Sequence, residues 1–134
     1  MRADIFVDAN VFMRYLLWDV PKEAKKAEAL FQEASRPGRR LITTELVIAE
    51  LVWTLESFYD KPKQTIAELI RAILATPGLQ VNNADLIEEA VELYVDHNMD
   101  FIDGYSVAYM RRNRIVKAKS FDRHFSRFHD IELV

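Results

Sequence analysis

The chain has 134 residues, half of them apolar, and 18 Lys and Arg against 21 Asp and Glu leave a formal charge of −3. This length and composition exclude a disordered chain and predict a single domain over residues 1–134. The absence of Cys excludes disulfides, zinc–thiolate sites, iron–sulfur clusters and thiol nucleophiles. An acid comes too early for a signal peptide, and no stretch reaches the ~18 apolar residues of a membrane span, so we expect a soluble cytoplasmic protein.

Short apolar runs alternate with longer helical patterns along the chain. The strands are predicted at residues 5–7, 41–43, 79–81, 115–118 and 131–133. The helices are predicted at residues 21–35, 44–59, 60–75, 83–98 and 100–113, with a helical turn over 122–128. Such alternation indicates βαβ crossovers, so we expect an α/β fold with a parallel sheet covered on both faces. Ligands of such sheets bind beyond the carboxyl ends of the strands.

Two carboxylates follow predicted strands. Asp8 comes directly after the first strand, and Asp122 comes shortly after the fourth. Each of them is also placed to cap a following helix, which is the purely structural alternative. Because the carboxyl ends of parallel strands meet at one edge of a sheet, the pair favours a common site.

Two further acids stand where the fold itself does not require them. Glu50 interrupts an apolar helical stretch and has Leu46 and Trp53 as neighbours one turn away. We expect this helix to be buried, and a buried carboxylate is costly unless it is paired with a cation or binds a metal. Asp103 falls in the first turn of a later helix, where the helix dipole also favours an acid. Gly104 follows it, and Gly inside a helix indicates the close approach of a backbone or a ligand.

Four carboxylates that converge stay ionised together only around a cation. The three His, at positions 97, 124 and 129, lack a metal-ligand spacing, so the donors are oxygens, which suit Mg²⁺ or Mn²⁺. Water held by such an ion attacks a phosphodiester while the metal neutralises charge on the phosphoryl oxygens. We expect His124 to be an ordinary surface residue, the alternative being a contact with phosphate.

The small net charge conceals two segments of opposite sign. Residues 82–103 carry seven acids and no Lys or Arg, whereas residues 111–129 carry seven bases and one acid. A surface this basic attracts a polyanion whatever the net charge of the chain. The simpler alternative is that both segments are solvated helix faces.

Together these motifs resemble the PIN domain family and, within it, the VapC-type toxins of toxin–antitoxin modules. The resemblance rests on four stretches in order, which are IFVDAN at residues 5–10, Glu50 in its apolar helix, FIDGYSVA at 101–108 and SFDRHF at 120–125. It implies a three-layer α/β/α sandwich with a short, mostly parallel central sheet, and a divalent-metal-dependent endoribonuclease. The chain departs from the family pattern at Ala9, where Thr or Ser is common, and at Gly104, where Ala is usual.

The resemblance also assigns roles to residues. The catalytic and metal-binding acids are expected to be Asp8, Glu50, Asp103 and Asp122, holding Mg²⁺ or Mn²⁺. The accessory residues beside them are expected to be Asn10, Asp100 and Ser120. The basic side chains expected to bind RNA are Arg111, Arg112, Arg114, Lys119, Arg123 and Arg127, helped by Arg36, Arg39 and Arg40. The expected partners are an RNA substrate, an antitoxin protein and a second copy of the chain, with no membrane.

Four alternatives remain open at this point. A PIN domain also occurs in RNA-processing nucleases outside toxin modules, and as an inactive scaffold, which the intact set of four acids disfavours. A phosphoacceptor receiver domain has a similar length, but it needs an adjacent acid pair after its first strand, where Asp8 stands alone. A metal-dependent phosphatase would carry a second Asp near Asp8, and Asn10 occupies that place.

Overall fold

The computed structural model describes residues 3–134, in which the strands and helices lie close to the predicted positions and residues 9–17 form one further helix that was not among those predicted. The strands are β1 (Ala3–Phe6), β2 (Arg39–Thr43), β3 (Leu79–Val81), β4 (Lys117–Ala118) and β5 (Glu132–Leu133). The helices are α1 (Ala9–Leu17), α2 (Pro21–Ala34), α3 (Glu45–Ser57), α4 (Lys63–Leu74), α5 (Ala84–Asp96) and α6 (Phe101–Arg112), with a 3₁₀ helix at Arg123–Arg127. The mixed α/β class with parallel strands is confirmed. None of the helices within residues 3–134 is long and apolar enough to cross a membrane.

The described residues form two compact units, 3–84 and 85–134. The strands divide in the same way, since β1–β2–β3 form one parallel sheet and β4–β5 form a second parallel pair. The short parallel sheet of the prediction therefore occurs as two separate ladders rather than one. The single domain predicted over residues 1–134 stays a prediction.

The sheet of the first unit is fixed by register and by a buried hydroxyl. Leu41 of β2 pairs with Ile5 on one side and with Leu79 on the other, and its side chain is fully buried. The Thr43 hydroxyl is also fully buried and donates a 2.8 Å hydrogen bond to the carbonyl of Val7. This bond ties the end of β2 to the residue that precedes Asp8, so it helps to hold the start of α1.

One Pro-Gly junction of the first unit has a clear steric cause. Gly78 has a φ of 78°, and a Cβ built on it would lie 2.0 Å from the carbonyl oxygen of Ala34 at the end of α2. Only Gly tolerates both the left-handed backbone and this contact. The residue therefore permits the turn from α4 into β3 against the end of α2.

The second unit has its own small core. Leu93 of α5, Val107 and Met110 of α6, and Phe128 and Ile131 near the carboxyl terminus are buried together. Tyr94 and Phe101 add an edge-to-face ring contact with centroids 6.3 Å apart. Because this core joins the end of α6 to the segment around Phe128, it fixes the course of the chain between them.

The Gly inside α6 marks a close helix–helix approach, as the sequence predicts. A Cβ built on Gly104 would lie 3.0 Å from the carbonyl oxygen of Ala90 and 3.4 Å from Cβ of Leu93, both on α5. Ala at this position would require α5 and α6 to separate slightly. The Gly thus sets the position of the first turn of α6, which carries Asp103.

Candidate metal centre

Asp103 occupies the third position of α6 and is half-buried, with its side chain 29% exposed. Burial raises the pKa of this carboxyl above its usual range, and the charges of Asp100 and Asp122 raise it further, whereas His124 acts in the opposite direction. Asp100 precedes the helix but its side chain makes no capping hydrogen bond. The start of α6 is therefore a place where negative charge is concentrated rather than neutralised by the helix.

The backbone of Asp122 is fixed by a hydrogen bond to Ser120, and the Asp122 side chain does not cap the helix that follows. The Oγ of Ser120 accepts a 3.0 Å hydrogen bond from the backbone N–H of Asp122, which fixes the turn. The Asp122 side chain makes no capping bond to the 3₁₀ helix that follows, so the structural alternative for this residue is wrong. Its carboxylate instead faces His124, and Ser120 thus has a local structural task beside the acid.

His124 bridges the two acids. Its Nδ1 lies 3.3 Å from Oδ2 of Asp103, and its Nε2 lies 2.9 Å from Oδ1 of Asp122. The expectation that His124 lies at the surface is confirmed, and its ring also lies close to both carboxylates. The 3₁₀ turn at Arg123–Arg127 brings this ring back toward α6.

The spacing of these donors fits a divalent ion. One ligand atom from each of Asp103, Asp122 and His124 lies within 4.8 Å of the other two. Donor atoms bound to one ion at about 2.1 Å are at most about 4.2 Å apart, so only a small adjustment is needed. Two carboxylates and an imidazole form a donor set that divalent metals use in proteins.

Asp8 lies in the first unit and caps a helix. Its backbone is extended, and its carboxylate accepts a 3.3 Å hydrogen bond from the N–H of Val11 in the first turn of α1. The capping role is therefore confirmed, and Asp8 itself remains exposed. Asn10, in the same first turn, is also exposed. A carboxylate that uses one oxygen to cap a helix can still bind a metal ion through its other oxygen.

Glu50 is exposed on α3, contrary to the expectation of a buried helix. The helix buries one face through Val47, Ile48, Leu51, Val52 and Leu55. Leu46 and Trp53, one turn to either side of Glu50, are 77% and 58% exposed. The apolar composition of this helix thus does not indicate burial all round, and no desolvation cost argues for a partner of Glu50.

The basic segment divides into paired and unpaired side chains. Arg111 binds Asp130 at 2.8 Å and approaches Glu89 at 3.6 Å, while Arg112 pairs with Asp85. The ammonium of Lys119 lies over the ring of Phe121. The bases without a carboxylate partner in the described part of this segment are Arg114, Lys117, Lys119, Arg123 and Arg127. Arg127 donates to the backbone carbonyl of His97.

The sequence comparisons decide the family. A family model described as the PIN domain matches residues 5–131 of this chain. The chain belongs to the PIN domain family. The VapC ribonuclease of Aquifex aeolicus (strain VF5) is 30% identical over 121 residues, covering 90% of this chain and 89% of the relative. The resemblance to the PIN family and to its VapC members, inferred from the four motifs, is thereby confirmed.

A solved structure also matches the chain. It is the crystal structure of VapC20 of Mycobacterium tuberculosis, described as a sarcin–ricin loop cleaving toxin. The two chains are 26% identical over 92% of this chain and 93% of that one, with a TM-score of 0.41.

Within this PIN domain, the structure brings together part of the predicted set of acids. Asp103 and Asp122 meet in the second unit, with Asp100 close enough to affect the pKa of Asp103. His124 is the residue that sequence reasoning missed. Its signal was its position two residues after Asp122 in a turn rich in polar residues, which a search for His–His spacing does not detect.

Proposed function

We propose that this PIN domain is a divalent-metal-dependent endoribonuclease and the toxin of a toxin–antitoxin pair. Family membership and the similarity to a VapC ribonuclease support the proposal. The observation that carries it in the structure is the group formed by Asp103, Asp122 and His124, whose donor atoms lie within 4.8 Å of one another. Negative charges repel one another around a half-buried acid with further acids beside it. A bound cation relieves this repulsion, so its binding is favourable.

We propose that the catalytic and metal-binding acids are Asp8, Glu50, Asp103 and Asp122, and that the ion is Mg²⁺ or Mn²⁺. When bound, the ion supplies an activated water and neutralises negative charge on the phosphate. Ser120 fixes the turn that presents Asp122. Asp100 adds negative charge beside Asp103, which raises the attraction for a cation. Asn10 flanks Asp8 at the start of α1 and can donate to a phosphate oxygen.

We propose that the unpaired bases of the basic segment hold the RNA backbone. Arg114, Lys119 and Arg123 have no carboxylate partner among the described residues, so their charges are available to phosphates. Arg111 and Arg112 are also predicted to bind RNA, but the guanidinium of each already binds a carboxylate. Their share in RNA binding is therefore expected to be smaller than that of the unpaired bases.

The proposed partners follow from the VapC similarity. We propose that the chain folds as one domain, acts in the cytoplasm as a homodimer, and is inhibited by an antitoxin protein. A surface with clustered acids and free bases suits a partner that carries both signs of charge. The neighbouring reading frame offers a simple check, since an antitoxin is expected to be encoded beside its toxin.

Two measurements test the proposed function. In cells, induced expression of the chain should arrest growth, and Asp8→Asn should abolish the arrest. In vitro, the purified chain should cleave RNA with Mg²⁺ or Mn²⁺ and stop when a chelator is added. Asp96→Asn is a matched control, because it removes the same charge from an exposed acid that is not part of the cluster.

Different outcomes separate the alternatives. RNA cleavage without growth arrest would support a PIN nuclease outside a toxin module. Cleavage that survives both the chelator and Asp8→Asn would contradict the metal-dependent mechanism. No cleavage of any RNA by the folded wild type with either metal would indicate an inactive scaffold.

A further inference from the structure

The orientation of His124 is more specific than a surface ion pair requires. Each ring nitrogen lies close to a carboxylate oxygen, with Nδ1 at 3.3 Å from Asp103 and Nε2 at 2.9 Å from Asp122. The second distance falls within the range of N–H···O hydrogen bonds, whereas the first lies just beyond it. The two ring nitrogens therefore differ in their distance to the neighbouring carboxylate, Nε2 being closer to Asp122 than Nδ1 is to Asp103.

This asymmetry matches a known arrangement around metals. Two donors on adjacent corners of one ion, each bound at about 2.1 Å, lie about 3.0 Å apart, close to the separation of Nδ1 from the Asp103 oxygen. A metal-bound His almost always donates its other N–H to a carboxylate, a backbone carbonyl or water, which fixes the ring. Asp122 occupies that place on the Nε2 side.

We propose that His124 is a nitrogen ligand of the metal centre, binding through Nδ1, and that it shifts the preference of the site from Mg²⁺ toward transition ions. Asp122, on the far side of the ring, then orients His124 or holds a second ion, and it is not a ligand of the ion bound to Nδ1. The inference rests on the proposed function, because it assigns a ligand to the same centre. Imidazole nitrogen is a poor donor for Mg²⁺, and affinity rises from Mn²⁺ to Co²⁺ among first-row ions. A centre made of oxygens alone would not show this order so strongly.

A competing role for His124 predicts the opposite result. If the ring only neutralises the two acids in the metal-free protein, it competes with every cation for them. Removing it would then raise the affinity for Mg²⁺, Mn²⁺ and Co²⁺ by similar factors. The two roles are therefore distinguished by the sign of the change and by its dependence on the metal.

The first experiment measures metal affinity of the full chain by calorimetry, using Mg²⁺, Mn²⁺ and Co²⁺ in turn. His124→Gln replaces the nitrogen donor by a side chain of similar size, and His129→Gln makes the same change at another exposed His outside the cluster. We expect His124→Gln to weaken Co²⁺ and Mn²⁺ binding by about tenfold or more and Mg²⁺ binding much less. His129→Gln should bind all three ions as the wild type does.

The second experiment detects the nitrogen ligand directly and uses the same two variants as controls. Pulsed EPR of the Mn²⁺-loaded wild type detects the hyperfine coupling of a directly bound ¹⁴N nucleus, and we expect that coupling to be present. The same spectrum of His124→Gln should lack it, while His129→Gln should keep it. Thermal melts in chelator establish that each variant is folded.

The outcomes separate this inference from the proposed function. If the wild type cleaves RNA and binds Mn²⁺ without nitrogen coupling, or if His124→Gln binds all ions equally well or more tightly, the ligand assignment is wrong and the nuclease proposal stands. If the coupling is present but no RNA is cleaved, the ligand assignment holds and the nuclease proposal fails. A wild type that binds no divalent metal contradicts both.

Discussion

The candidate acids of the two units differ in their surroundings. In residues 85–134, Asp103 and Asp122 lie close together around one imidazole, and the pKa of Asp103 is raised by burial and by neighbouring charge. In residues 3–84, Asp8 is engaged in capping α1 and Glu50 is exposed on α3. In the second unit the donor atoms of Asp103, Asp122 and His124 already lie close together, whereas in the first unit Asp8 caps a helix and Glu50 lies on an exposed helix face.

The largest expected effect is on the rate of RNA cleavage, and it shows whether the acids of both units serve one reaction. Asp8→Asn and Asp103→Asn should each reduce RNA cleavage by more than about a hundredfold, since even residues that only orient metal ligands cost about 10–100-fold. The double variant should lose little more than either single variant, because residues that act as a unit are strongly non-additive. Cleavage rates of all four proteins give the comparison, and losses that multiply would mean that the two units contribute independently.

The next effect concerns metal and stability. A divalent ion at a hundred times its Kd should stabilise the wild type by about 2.7 kcal/mol, because it binds only the folded chain. Asp103→Asn should lose most of this gain. In chelator the same variant should be as stable as the wild type or more so, since a half-buried charge facing other acids is removed. Thermal melts with and without Mn²⁺ measure both, and an Asp103→Asn variant that responds to Mn²⁺ like the wild type would place the ion elsewhere.

A smaller effect contrasts the free and the paired bases. The double variant Arg114→Gln with Arg123→Gln should weaken RNA binding. The decrease of the logarithm of the association constant with the logarithm of salt concentration should become less steep by about 1.4, which corresponds to two lost contacts with single-stranded phosphates. Arg112→Gln serves as the matched control, because its guanidinium already binds Asp85. Binding should be measured in Ca²⁺ at several salt concentrations. Equal slopes for the double variant and the wild type would mean that these bases form only a solvated face.

The smallest effect is a pair of opposite pH dependences. The raised pKa of Asp103 means that its ionised form costs stability, so in chelator the wild type should lose stability relative to Asp103→Asn as the pH rises from 3.8 through the raised pKa. Arg111 lowers the pKa of Asp130, so this acid adds stability above 3.8 and loses it as the pH falls through the lowered pKa. The Asp130 effect should stay under about 1 kcal/mol, since the pair is exposed. Urea unfolding of both Asn variants across pH 2–6 tests the signs, and equal signs would contradict the account.

Much of the fold could be predicted because its signals are local. Pro and Gly mark the ends of helices, Thr44 caps α3 as its position suggests, and Gly104 lies against α5 as a Gly inside a helix indicates. The division of the strands into two ladders depends on pairing over long distances in sequence. Strand pattern alone does not specify such pairing.

The candidate site was predictable in its acids and not in their surroundings. Asp103 and Asp122 were recognised by position relative to helix and strand, and they do meet. The exposure of Glu50 does not follow from composition, because a helix that is apolar over most of its circumference still buries only one face here. The contacts of His124 were missed because they depend on how the 3₁₀ turn at Arg123–Arg127 folds back, which sequence spacing does not encode.

The most direct test of a single metal centre is a crystal structure of the chain grown with Mn²⁺, with the ion located by its anomalous scattering. We expect one strong peak within about 2.3 Å of a carboxylate oxygen of Asp103, with Asp8 also bound to the ion directly or through water. A peak bound only by residues 85–134, with Asp8 and Glu50 making no contact to the ion or its waters, would contradict the claim that acids of both units serve one metal centre.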